Sequence, residues 1–299
     1  MDIDQLRTRF EIPGVLTFDE QNGMSRLHVN TPQASGLMYL QGAHIAHWQP
    51  SAQDPVLFLS RQSAFEPGKP IRGGIPIIFP WFGADSKDRF NGRPGPSHGY
   101  ARLEEWTLQS AQRNARGLGL KLTLGPTGMS RSMQFDHFLL TLDVAIGETL
   151  SMALTVANPG NTPISFEEAF HNYFYVMDVH ETAVSGLEGT SYMDKTDKMQ
   201  QKPASDARIT FNGPVDRVYL DTTAPLTIHD GTQRREIRIV KTHSRNTVVW
   251  NPGKALPDLG EWDWHEMVCV ETANVATNAV TIGPGESFTM SQIISVQRR

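Results

Sequence analysis

Two residues that exchange protons near neutrality stand on apolar, strand-like stretches of this chain. His171 lies in the aromatic run Phe170-His171-Asn172-Tyr173-Phe174-Tyr175-Val176. Strand alternation puts His171, Tyr173 and Tyr175 on one face and Phe170, Asn172, Phe174 and Val176 on the other. Water is scarce among aromatic rings, so the imidazole is open to tuning, the alternative being a core histidine satisfied by a backbone carbonyl. Glu271 follows Met267-Val268-Cys269-Val270 and shares a face with Met267 and Cys269. An unpaired carboxylate on an apolar face is costly, so Glu271 either has a partner or does chemistry.

Two further segments offer cations and donors. In Arg72-Gly73-Gly74-Ile75-Pro76, paired glycines let the backbone turn or approach a ligand beside a fixed guanidinium; a tight turn before a buried segment is the plainer reading. In Ser97-His98-Gly99-Tyr100-Ala101-Arg102, an imidazole and a guanidinium four positions apart suit neutral hydroxyls and an anion, respectively. Trp262 and Trp264 supply flat surfaces on which a sugar ring packs, or cap the core. His44 and His47 would face opposite sides of a strand, and no Cys or His-x-His pairing accompanies them, so no metal is expected. P-loop and post-strand GxGxxG motifs are absent, which leaves NTPase and dinucleotide chemistry unsupported and no cofactor expected.

The elements that must position these residues read as β. Leu118, Leu120, Leu122 and Leu124 alternate with small or polar residues, as do Leu150, Met152, Leu154 and Val156. Similar short stretches recur, for example at 56–59, 138–144, 248–250, 267–270 and 288–296, separated by turn signals such as Asn22-Gly23 and Asn212-Gly213-Pro214. A short helix is expected at 4–10. The prediction is an all-β chain with few short helices: one large antiparallel β-sandwich over 1–299, with about 1–20 as an N-terminal extension.

Composition narrows the partners. With 27 Lys plus Arg against 32 Asp plus Glu, the net charge is −5, and no basic cluster marks a nucleic-acid surface. Mean hydropathy is −0.35 and apolar runs are short, so no membrane span is expected. One cysteine, Cys269, and an acidic N-terminus without an apolar stretch fit a cytoplasmic protein, expected to be a monomer.

Taken in order, Arg72-Gly73-Gly74-Ile75-Pro76, His98-Gly99-Tyr100-Ala101-Arg102, Phe170-His171-Asn172-Tyr173-Phe174, Asp216-Arg217-Val218-Tyr219 and Cys269-Val270-Glu271 resemble the aldose 1-epimerase (galactose mutarotase) superfamily in its hexose-6-phosphate branch. The resemblance runs from about Gly42 to Val296. It implies a β-sandwich of the galactose mutarotase type and a sugar phosphate as the small-molecule partner. It also implies His171 as general acid, Glu271 as general base, His98 and Asp216 on sugar hydroxyls, and Arg72 and Arg102 on the phosphate. Where some relatives follow the base with Pro-Gly-His, this chain has Thr272-Ala273-Asn274.

The implied reaction interconverts the anomers of hexose 6-phosphates, chiefly D-glucose 6-phosphate. It needs one acid, one base and no cofactor. Glutamate, at a reference pKa of about 4.3, is ionised at neutral pH, whereas histidine, near about 6.5, needs a neighbouring anion to stay protonated. The competing readings are a mutarotase for unphosphorylated aldoses, a non-catalytic carbohydrate-binding protein, and a glycosidase drawing a second carboxylate from Glu167 or Glu168.

Overall fold

A computed structural model of the protein describes residues 1–85, 94–205 and 207–299. The two leucine-rich runs form Gly117–Leu124 and Leu150–Ala157, with their alternate side chains buried as expected. They lie in a nine-stranded sheet ordered Ile209–Thr210, Thr182–Ser185, Leu226–Asp230, Arg235–Thr242, Ser287–Arg298, Leu150–Ala157, Leu139–Gly147, Gly117–Leu124 and Thr107–Asn114. A second sheet is ordered Gln200–Lys202, Tyr192–Asp194, Val215–Tyr219, Asn246–Asn251, Met267–Asn274, Glu168–Phe170 and Ile77–Ile78, with Tyr173–Tyr175 also paired to Met267–Asn274. A four-stranded sheet from Leu16 to Pro50 and a two-stranded one complete the strands, and every named pair is antiparallel.

The alternation of Met267–Asn274 shows how the layers pack. Val268 and Val270 enter the main hydrophobic core with Leu154, Ile237 and Ile294 of the nine-stranded sheet. Met267 and Cys269 face the other way, against Phe58, Tyr173 and Leu259. The second face is covered, so this strand is buried throughout. No helix among the described residues is long and apolar enough to cross a membrane.

Several local expectations change. The N-terminal helix is Ile3–Phe10, capped by Asp2 and Gln5 in a reciprocal box. Together with Leu16 and Phe18, its Leu6 and Phe10 belong to the main core, so residues 1–20 pack into the fold. The stretch 56–59 forms isolated bridges, Leu57 to Phe174 and Leu59 to Gly73, rather than a strand. A second helix, Gly128–Ser132, is capped by Thr127 and Ser130 but is too short to show a helical apolar period.

Candidate active site

Register brings the imidazole to the carboxylate. Glu168–Phe170 pairs Phe170 with Thr272, and Tyr173–Tyr175 pairs Tyr173 with Cys269 on the same strand. Carried across the gap, that register sets His171 opposite Glu271. The ladder is interrupted there: the His171 N–H goes to the Pro76 carbonyl, and the Asn172 side chain donates to the Val270 carbonyl. Inside the sandwich Asn172 also exchanges hydrogen bonds with Gln292, which accepts from the Thr272 hydroxyl. The result is His171 Nε2 at 3.4 Å from Glu271 Oε1, both side chains buried. His171 Nδ1 and Glu271 Oε2 have no protein partner among the described residues.

Rings hold the imidazole. His171 stacks on Tyr173 at 4.7 Å and 9°, with His98 and Trp250 edge-on at 5.4 and 6.3 Å. Trp250 comes from the neighbouring strand, where it pairs with Cys269 on one side and Asp216 on the other. Tyr173, Cys269, Trp250 and Asp216 therefore make one row across four strands, with Glu271 one step along.

The loops add charge. Gly73 and Gly74 have φ of +112° and +60°, and a Cβ on Gly74 would lie 2.2 Å from the Ile45 carbonyl oxygen. The plainer reading of this glycine pair is the one seen, a tight turn whose close approach is to the protein's own backbone. Arg72 donates to Tyr173 Oη at 2.8 Å and to Asp258 through Nε at 2.9 Å. Arg102 donates to the Ser97 carbonyl, and its buried Nε has no partner among the described residues. His98, at φ +64°, takes the Gly83 N–H on Nδ1 and meets Phe82 edge-on. Asp216 pairs with Lys195 at 3.4 Å.

Burial and this cationic ring set the protonation states. His98 is pushed down to about 3 by burial, then by the charges of Arg102, Lys195 and Arg72. His171 is held well below the ordinary imidazole value by burial, with His98, Arg102 and Arg72 adding to it. Burial raises Glu271 well above the usual carboxylate range, against the pull of Lys195. Asp216 is also raised by burial, and Arg102 is lowered by it to about 10. A neighbouring anion was expected to keep His171 protonated. In the protein alone burial, reinforced by the cations, favours the neutral imidazole.

All six residues expected at the site, His171, Glu271, Arg72, His98, Arg102 and Asp216, come within electrostatic or direct contact of one another. Sequence reasoning missed Lys195, which opens the 3-10 turn Lys195–Asp197 and lies over the Phe82 ring, and Asp258 in a loop; neither position carries a periodic or motif signal. Trp250 was within reach, because alternation from Val248 puts it on the site face. Glu167 accepts from the Phe82 and Ala276 N–H groups, and Glu168 lies in the interior on Asn274, so neither joins Glu271 as a glycosidase pair. Trp264 packs against the main core. Trp262 is 67% exposed and lines a separate cleft of about 990 Å³ that includes neither His171 nor Glu271.

The family profile described as Aldose 1-epimerase matches residues 26–295. The chain belongs to the aldose 1-epimerase family. Curated proteins of Salmonella typhimurium and Escherichia coli, each named "Putative glucose-6-phosphate 1-epimerase", are 32% identical over 97% of this chain and 96% of their own length. The solved YeaD structure of Salmonella typhimurium superposes with a TM-score of 0.89 at 31% identity, covering 99% of both chains. A galactose mutarotase-like protein of Lactobacillus casei, 12% identical with a TM-score of 0.72 over 91% of this chain and 100% of its own, shares the fold. As a family member the chain is an isomerase that interconverts sugar anomers. The all-β architecture expected from the strand pattern is observed, and it is of the galactose mutarotase type that the resemblance implied.

Proposed function

We propose that this epimerase acts on hexose 6-phosphates, chiefly D-glucose 6-phosphate, with His171 and Glu271 as its proton-transfer pair. The observation that carries this reading is the buried pair at 3.4 Å, with an unpartnered nitrogen and oxygen, inside a ring of Arg72, Arg102 and Lys195. The names borne by the two bacterial relatives point the same way.

Burial favours the neutral imidazole at His171 and the protonated carboxyl at Glu271, which places the proton between them on Glu271 in the protein alone. One proton is what the reaction needs. A phosphate dianion among the three cations cancels the repulsion that disfavours imidazolium, so binding shifts the proton from Glu271 to His171. Glu271 then takes the proton of the C1 hydroxyl while His171 protonates the ring oxygen. The C1–O5 bond breaks, a C1 carbonyl forms, and rotation about C1–C2 exposes its other face. Reclosure returns both protons, leaving the enzyme unchanged. His98 and Asp216 serve the sugar hydroxyls. Arg102 keeps free donors for the phosphate, whereas the Arg72 guanidinium is shared with Asp258 and Tyr173.

Anomer exchange measured by NMR on glucose 6-phosphate and on glucose, at equal enzyme, tests the substrate. Acceleration confined to the phosphate ester is expected. Equal acceleration of both sugars would favour an unphosphorylated aldose, the second reading, for which the commitment of Arg72 to Asp258 is the supporting observation.

A further inference from the structure

We propose that Asp178, His180 and His265 form a peripheral site for a divalent transition-metal ion, with Zn²⁺ the best match. Each offers one ligand atom, and these atoms lie within 4.8 Å of one another. Asp178 and His180 belong to the 3-10 turn Val179–Glu181 and its cap, and His265 to the turn Asp263–Glu266. The chemistry is a two-imidazole, one-carboxylate set, which suits borderline ions such as Zn²⁺ and Co²⁺ rather than Ca²⁺ or Mg²⁺.

The second observation is how the ligands are held. His180 Nδ1 bonds the Phe211 carbonyl at 2.9 Å, and only a protonated Nδ1 can make that bond, so in the neutral ring Nε2 carries the lone pair. A backbone carbonyl on the far ring nitrogen is the support that metal-bound imidazoles ordinarily have. The His265 ring lies 3.6 Å from that of Trp264 and edge-on to His180 at 5.5 Å. Asp178 Oδ1 accepts the His180 N–H, which fixes the carboxylate and leaves its second oxygen for an ion. With bonds of about 2.0 to 2.2 Å, zinc draws its ligands to within roughly 3.5 Å of each other, so these side chains close by about 1 Å on binding. Partial exposure of all three permits that movement. No metal was expected from the sequence, in which no Cys or His-x-His pairing marks a site and these ligands come from two turns far apart along the chain. The ion would staple one turn to the other, away from the proton-transfer pair.

The test uses the purified full chain stripped with a chelator and titrated with Co²⁺, then Zn²⁺. Visible ligand-field bands at one Co²⁺ per chain, lost on adding Zn²⁺, together with a rise in Tm, are expected. His265→Gln and Asp178→Asn should each weaken binding by about 10-fold or more, the second without losing an oxygen to cap His180. Failure of wild type to bind stoichiometrically overturns the proposal. So does affinity unchanged in both variants, or affinity lost instead in His98→Gln, which would put the ion in the sugar site.

Discussion

An imidazole and a carboxylate lie buried 3.4 Å apart, with Arg72, Arg102 and Lys195 near them, Arg72 paired with Asp258 and Lys195 with Asp216. At this scale the cations separate. Arg102→Ala should raise KM for glucose 6-phosphate by about 10-fold or more, the worth of one or two charge-assisted hydrogen bonds, and raise that for glucose far less. Steady-state exchange rates at varied substrate check it, and equal effects on the two sugars would remove Arg102 from the phosphate. The faces of His171 and Glu271 were legible because alternation is local. Their opposition was not, since it depends on which strands pair. Lys195 was invisible for a different reason: a turn residue has no period, and its importance comes from groups distant in the chain, Asp216 and Phe82 among them.

Among the elements, the interrupted ladder at residues 171 and 172 depends on the buried Asn172, Gln292 and Thr272 network. Gln292→Leu strands the Asn172 carbonyl and should cost about 1 to 3 kcal/mol by denaturant unfolding, with kcat lowered because His171 loses its support. Unchanged stability and kcat would show that the network is incidental. Gly74→Ala forces a side chain into φ +60° and against the Ile45 carbonyl, so it should destabilise by about 2 kcal/mol or more and disturb Arg72. Thermal unfolding measures the first effect and KM the second. Long alternating strands such as Leu150–Ala157 were plain in the sequence, because each needs only its own residues. The bridges at 56–59 were not, because their partners are the loop at Gly73 and the short strand at Phe174.

For the whole molecule, fold class followed from strand and turn signals, while layer order and the buried titratable groups awaited the structure. Glu168 is the clearest of these: fully buried, hydrogen-bonded to Asn274 through one oxygen, and pushed up to about 8 by burial. Its folded value lies above its unfolded one, so its contribution to stability is present at low pH and lost as pH rises through about 8. The loss is at most on the order of 5 kcal/mol. Glu168→Gln should therefore flatten the fall in Tm between about pH 5 and 8 relative to wild type. Lys241, lowered by burial to about 7, acts in the opposite sense at higher pH and is common to both proteins, so the comparison isolates Glu168. Parallel Tm profiles would refute the assignment. The claim on which the account turns is that His171 and Glu271 move the protons of ring opening. NMR anomer exchange of D-glucose 6-phosphate by wild type, His171→Asn and Glu271→Gln, each with circular dichroism to confirm the fold, tests it most directly. Loss of about 10² to 10⁴-fold in both variants is predicted, and a folded variant that keeps more than about a tenth of the wild-type rate would contradict it.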